Sequence, residues 1–390
     1  MNALTAARRV VSNLACSRGN LLVGMDGSRY LDLHTNIASL PLGYNHPNLL
    51  KLMQKQEIIS LAINRPATNL YPPEQFLELL QEMFPQISPY GIDSPGYVWL
   101  GSSGAESIES AMKHCAQKSG ATTFVSFAGA FHGRTLGALS LTNTNPLFNK
   151  GFPSLDVITA PFPEDYESHP EIIDRVRDVL ATKDIAGVFI EPVQCEGGDR
   201  FASGAFFRAV RSLCTMYDIP FVVDEVQTNM GTGQLWAHKR WDLDTPPDIV
   251  VFGKKMQMGG FFALDHLAPR TDDEYSYMST WAGDPFRAMM LKTILETIKT
   301  DNLYEKSSKL GNELFCRIGK ISGIKNVRNI NALGAFDLVE MDRDVFLSVM
   351  QENGILLGAC GTHSVRVRPS LVLDEDTVDC VIDHLARIVG

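Results

Sequence analysis

FVVDEVQTNMGTGQLWAHKRWDLDTPPDIVVFGKK, residues 221–255, holds two short apolar runs, each closed by charged residues. Phe221, Val222 and Val223 are aromatic and β-branched, and the run is too short for a helix. It reads as a buried strand. It ends in Asp224-Glu225. Asp248 to Phe252 (DIVVF) reads as a second strand and delivers Gly253-Lys254-Lys255. Open α/β sheets bind ligands at the carboxyl ends of their parallel strands. Two such strands side by side would offer a carboxylate at one tip and a lysine at the next.

Moving outward, the same grammar recurs. Tyr97 to Leu100, Thr122 to Phe127 and Ala186 to Ile190 read as strands. Helical periodicity fills Asn48 to Gln56, Pro73 to Phe84, Glu106 to Lys118 and Ala205 to Tyr217. Alternation of this kind predicts an α/β fold with a mainly parallel sheet covered on both faces. Ahead of it, Gly24 to Leu33 reads as a hairpin turning at Asp26-Gly27. The pattern changes after about Asp284. Two long helices (Phe286 to Lys299, Leu303 to Ile318), short strands at Ala335 to Val339 and Ser364 to Arg368, and a last helix at Glu375 to Val389 predict a smaller α+β domain.

Composition narrows the class of function. The 390 residues are 45% hydrophobic and 21% charged, ordinary for a globular chain able to bury a large core. The net charge of −10 argues against a nucleic-acid or anionic-membrane partner. The seven cysteines are irregularly spaced without a C-x-x-C pair, which fits reduced thiols in a cell interior. No apolar run approaches the ~18 residues of a membrane span. The opening MNALTAARRVVSN faintly has the character of a transit peptide. It is short, so the expectation is cytoplasmic, with the mitochondrial matrix left open.

Several clusters carry chemistry. Asp224 and Lys254 allow two readings. One is a surface acid and a surface lysine at two strand ends, which on these residues alone has the edge. The other is the pair that pyridoxal phosphate demands, an acid for its pyridine nitrogen and a lysine for its aldehyde. Ser102-Ser103-Gly104-Ala105-Glu106, between a strand and a helix, reads equally as a phosphate loop or as a plain helix cap. Phe127 to Arg134 (FAGAFHGR) reads on its own residues as a core Phe and a surface Arg, or else as an aromatic able to stack on a flat ring and an arginine able to grip a carboxylate. Glu191 and Glu196, five apart at a strand end, lack a local histidine, so no metal is expected. No G-x-G-x-x-G follows a strand, which disfavours a nicotinamide dehydrogenase.

The wording resolves these alternatives by resemblance. LGYNHP, INRPA, GAFHGRT, EGGD, DEVQT, FGKK and STWAGDP, spread from about Arg18 to the carboxyl terminus, closely resemble class III pyridoxal-phosphate-dependent aminotransferases. Within that class the chain most resembles the 4-aminobutyrate (GABA) aminotransferases. The resemblance implies pyridoxal-phosphate-transferase fold type I. It places residues 1–36 as an N-terminal segment packing with the small domain, 37–284 as the large cofactor domain and 285–390 as the small domain.

The resemblance also implies roles. Lys254, six residues after Asp248, would be the catalytic lysine. Lys255 would be solvated or bonded to backbone. Asp224 would hold the ring nitrogen, Val226 pack on the ring face and Gln227 bond near its phenolic oxygen. Gly104 and Ala105 would bind the phosphate through backbone N–H groups, and Phe131 and His132 border the ring. Arg134 would hold the carboxylate of the ω-amino acid. Glu196 would pair with Arg366, releasing it for the second substrate, and Ile37 would wall the pocket. Thr280 would reach the phosphate of a neighbouring subunit, implying a homodimer with shared sites. Animal relatives carry cluster-binding cysteines where this chain has Ser103 and Glu106, so no iron–sulfur cluster is expected. The implied reaction moves an amino group from 4-aminobutyrate to 2-oxoglutarate. The rivals are L-lysine 6-amino transfer or another ω-amino acid and, in a different class, a mutase or decarboxylase.

Overall fold

A computed structural model describes residues 10–64, 71–163, 170–182, 184–269 and 276–390. The basic stretch ending at Arg9 and the RPA of the INRPA motif lie outside the described residues. The chain forms two compact units. The larger comprises Lys55–Asn229 and Leu235–Lys292. The smaller comprises Met1–Gln54, Met230–Gln234 and Thr293–Gly390.

The larger unit is built on a seven-stranded sheet of β1 (Tyr97–Gly101), β2 (Thr123–Phe127), β3 (Val157–Ala160), β4 (Ile185–Ile190), β5 (Phe221–Asp224), β6 (Ile249–Phe252) and β7 (Gly259–Ala263). Their spatial order is β1-β7-β6-β5-β4-β2-β3. β7 alone runs against its neighbours, pairing antiparallel with β1 and β6. The other six strands are mutually parallel, so their carboxyl ends share one edge. Phe221 and Val223 face a core with Phe206, Phe207 and Trp241, while Val222 faces the opposite core with Ile108, Ala111 and Phe189. A strand buried on both faces can carry an unbroken apolar run, as β5 does.

β3, β7 and the helix Pro170–Ala181 extend the sequence reading. β7 hides because it opens with Gly259-Gly260, a pair that looks like a turn. A Cβ at Gly260 would lie 2.4 Å from the Phe252 ring and 2.6 Å from the Trp99 carbonyl, so close strand approach requires glycine there. The expected helix at Asn48 to Gln56 is two helices, Pro47–Leu52 and Gln56–Asn64.

In the smaller unit, Leu21–Val23 pairs antiparallel with Arg29–Asp32 around the expected Asp-Gly turn. Ile355–Leu356 then adds in parallel beside Leu31 and Asp32, which ties the amino-terminal hairpin to this unit. A second sheet carries Ile324–Ile330, Leu333–Leu338, Ser364–Val367 and Gly358–Cys360 in that order. Helices Leu303–Ile318 and Glu375–Val389 cover it through Leu314, Ile318, Val381 and Leu385. No described helix is long and apolar enough to cross a membrane.

Candidate active site

Six chemistry-bearing segments leave the carboxyl edge of the large sheet or lie against it. At the tip of β5, Asp224 is 5% exposed. Its Oδ2 lies 2.7 Å from His132 Nδ1, and its Oδ1 accepts the Val226 N–H at 2.9 Å. Two donors fix the carboxylate and compensate its burial. The His132 ring is itself buried, with its backbone N–H on the Thr142 hydroxyl at 2.9 Å. The structure therefore places His132 behind Asp224, where it orients the acid. The adjacent Glu225 has a different role. It is fully buried, and its Oε1 accepts the His238 backbone N–H at 2.8 Å and lies 2.8 Å from His238 Nδ1.

Lys254 follows β6 with φ of 48°, a left-handed conformation that a lysine adopts at a cost. Lys255 is buried, and its ammonium donates to the Gln227 carbonyl at 3.2 Å. Lys255 thus joins the β6 loop to the β5 loop. Asn229 fastens the same two loops: its amide donates to the carbonyls of Glu225 at 2.6 Å, Val226 at 3.1 Å and Gly253 at 3.1 Å.

The turn after β1 is a helix cap, and it leaves N–H groups open beside it. Ser103 is the N-cap of the helix Gly104–Ser119, its hydroxyl accepting the Glu106 N–H at 3.3 Å. Glu106 folds back to accept the Ser102 N–H at 2.6 Å. The N–H groups of Gly104 and Ala105 find no acceptor among the described residues. They point out of the positive end of the helix. A Cβ at Gly104 would lie 2.7 Å from the Val226 methyl carbons, so only glycine lets this turn lie against Val226. The Thr280 segment lies beside it, since the Ser102 hydroxyl donates to the Trp281 carbonyl of the same chain at 2.9 Å.

β2 leads to Phe131, half-buried, and to Arg134, exposed. The Phe131 N–H donates to Glu191 Oε1 at 2.9 Å. Glu191 is buried at the end of β4. Burial pushes its pKa well above the ordinary carboxylate value, and the Asp224 charge adds to this. The Phe131 N–H, the Lys254 charge and the Cys195 backbone act in the opposite sense without prevailing. Glu196 is half-buried in the next turn, which is closed by backbone hydrogen bonds of 3.0 and 3.3 Å between Gln194 and Arg200.

Two of the expected residues belong to the smaller unit. Arg366 is buried on Ser364–Val367, opposite Ala335 and Gly358. Arg368 is buried too, but its guanidinium donates to the carbonyls of Gly334 at 3.1 Å and Val367 at 3.0 Å, which marks it as structural. Ile37, 47% exposed, stands on a left-handed turn with φ of 60°.

The larger unit thus gathers Gly104, Ala105, Phe131, Asp224, Val226 and Lys254 around one edge. Glu191, Asn229 and Thr142 hold parts of it, and sequence reasoning missed all three in these roles. A lone buried acid, amide or hydroxyl leaves no periodic trace, though Glu191 stands in the same EPVQCEGG run as Glu196. A clamped acid and a lysine at neighbouring strand tips, beside a helix with open N–H groups, fit pyridoxal phosphate. They define a cofactor-dependent transferase of fold type I. Residues 5–389 match the family Aminotransferase class-III. The chain is 35% identical over 420 residues to the mitochondrial 4-aminobutyrate aminotransferase of Sus scrofa, covering 96% of this chain and 84% of that protein. It is 34% identical over 411 residues to the 4-aminobutyrate aminotransferase of Dictyostelium discoideum, covering 94% and 82%. The solved lysine aminotransferase from M. tuberculosis matches with a TM-score of 0.88 at 30% identity, covering 99% of this chain and 95% of that one. The chain belongs to the class-III aminotransferases, and its cofactor is pyridoxal phosphate.

Proposed function

We propose that the protein transfers the terminal amino group of 4-aminobutyrate to 2-oxoglutarate, giving succinate semialdehyde and glutamate. The observation that carries this reading is Arg134. It is exposed, two residues from the His132 that holds Asp224, and no carboxylate pairs with it among the described residues. A cation in that state suits the distal carboxylate of an ω-amino acid. The relatives from Sus scrofa and Dictyostelium bear the same activity in their names.

Bound pyridoxal phosphate supplies an electron sink for the carbon that carries the transferred amine. The chain's part is to hold and move protons and to orient. Asp224 would keep a proton on the pyridine nitrogen, with His132 fixing the acid. Lys254 Nζ would carry a proton between the substrate carbon and the cofactor within each half-reaction, in one direction in the first and in the opposite direction in the second. Gly104 and Ala105 would offer their N–H groups to the phosphate, Val226 and Phe131 would border the ring, and Gln227 would bond near its phenolic oxygen. Arg134 takes the distal carboxylate, and Ile37 walls the pocket. Arg366 is assigned the α-carboxylate of 2-oxoglutarate, and Glu196 the choice between the two substrates. Thr280 is assigned to the phosphate site of a second copy, so the active form is a homodimer. All seven cysteines are free thiols, in keeping with a reducing compartment such as the cytoplasm.

L-Lysine 6-amino transfer is the second reading, favoured by the similarity to the M. tuberculosis lysine aminotransferase. Side-by-side turnover of 4-aminobutyrate, lysine, ornithine and β-alanine with 2-oxoglutarate separates the two. We expect 4-aminobutyrate to give the highest kcat/KM. A lysine preference of tenfold or more, an about 1.4 kcal/mol difference, would reverse the assignment.

A further inference from the structure

Arg134 is exposed, yet its guanidinium is held. Its Cζ lies 5.0 Å from the centre of the Phe131 ring and 4.8 Å from that of Phe148. The two rings stand edge to face, 6.0 Å apart at 75°, and so form a corner. A guanidinium is attracted to the negative face of an aromatic ring. It can rest there without giving up an N–H donor. No oxygen among the described residues takes a hydrogen bond from Arg134.

Phe148 belongs to the loop after the helix Leu136–Leu141 and is half-buried. Its N–H donates to the Asn145 carbonyl at 3.0 Å. Its neighbour Asn149 ties the loop down, with an amide 3.4 Å from the carbonyls of both Leu139 and Thr142. Thr142 also receives the His132 N–H, so the Phe148 loop and the Asp224 clamp share an anchor.

We propose that Phe148 is a positioning residue for carboxylate-bearing substrates: with Phe131 it forms an aromatic corner that aims the Arg134 guanidinium and leaves its donors open. This rests on the reading of Arg134 as the carboxylate holder. An acidic partner in place of the corner would aim the arginine equally well, but it would compete with the substrate for the same donors. An aromatic face orients without competing. It also favours a planar, delocalised cation over an ammonium, which matches the arginine found here.

The test uses the loaded enzyme and four variants: Phe148→Leu, Phe148→Met, Phe148→Tyr and Arg134→Gln. Leucine and methionine keep apolar bulk without a ring, and either one serves should the other fail to fold. Tyrosine keeps the face. The readouts are kcat and KM for 4-aminobutyrate and the Kd of butanoate, an amine-free carboxylate, by calorimetry. We expect the leucine and methionine variants to raise both KM and the butanoate Kd about 3- to 10-fold, with kcat within about twofold, and tyrosine to restore parental values. The corner is overturned if those two variants keep parental KM and Kd while Arg134→Gln weakens butanoate. It is also overturned if tyrosine is as impaired as leucine, which would make the role one of packing. Should the parent bind butanoate no better than Arg134→Gln, the carboxylate reading of Arg134 fails, and this proposal with it.

Discussion

Glu191 shows how burial can change what a side chain contributes. The folded protein keeps its proton to a higher pH than the unfolded chain, where a glutamate titrates at about 4.3. The sign follows from linkage. The stabilising contribution is complete below that ordinary value and is lost as pH rises through the elevated folded value. Glutamine has no proton to lose and still offers an oxygen to the Phe131 N–H. Glu191→Gln should therefore gain steadily on the parent as pH rises from 5 towards 8 in urea unfolding. A difference that stays level across that range would show that Glu191 is not held protonated. Lys254→Ala should abolish the visible absorbance of the loaded enzyme and lower turnover at least about 1000-fold, while the variant still folds. Ordinary turnover in that variant would remove Lys254 from the chemistry. Spacing alone did not distinguish Lys254 from Lys255, because both follow the same strand. The distinction comes from family wording alone, and the structure adds that Lys255 donates to the Gln227 carbonyl. Phe148 had no such signal, being one aromatic in a polar loop.

At the level of elements, the turn Thr35–Ala38 is the most strained piece of backbone described. Four successive non-glycine residues have positive φ, of 44°, 52°, 60° and 59°. Left-handed backbone costs about 1 to 2 kcal/mol per residue, and two of the four are β-branched. What holds it is Asp32, which is 2% exposed. Its Oδ1 accepts the N–H groups of His34 and Thr35 at 2.8 Å each, and its Oδ2 accepts the Tyr44 hydroxyl at 2.6 Å. The Thr35 hydroxyl adds a bond to the Arg368 carbonyl at 2.7 Å. Burial, reinforced by the Asp32 charge, raises the Tyr44 pKa far above its ordinary value, so this phenol stays a donor at any working pH. Asp32→Ala should cost about 3 kcal/mol by urea unfolding, and Asp32→Asn, which keeps one acceptor, about 1 to 2. Equal losses would mean that the acceptor oxygens are not what holds the turn. Nothing in TNIA announces this conformation, because Thr and Ile prefer extended backbone. Tertiary hydrogen bonds override the local preference. The strands of the large sheet were easier to read wherever β-branched runs met acidic or glycine stops, as at β4, β5 and β6. β7 was hidden for the converse reason: its glycines satisfy neighbours in space.

On the scale of the whole molecule, the site is gathered by topology. Six parallel strands bring residues 100 or more positions apart to one edge, and no single segment could supply both the acid and the lysine. The Thr280 segment touches Ser102 of its own chain, while the proposed role sends Thr280 to the phosphate of a second copy. The two arrangements predict opposite results when inactive variants are mixed. Take Lys254→Ala and Thr280→Ala, dissociate them together and allow them to reassociate. If sites are shared, a hybrid dimer has one site that lacks both groups and one site with both intact. Random reassociation makes half the dimers hybrids with one working site each, so activity should return to about a quarter of the parent's. If Thr280 serves its own chain, every site in the mixture still lacks one group and activity stays at the mean of the two variants. Sedimentation of the same samples verifies that dimers have formed. Recovery well above the mean of the two separate variants supports the shared site, and its absence in verified dimers returns Thr280 to its own subunit.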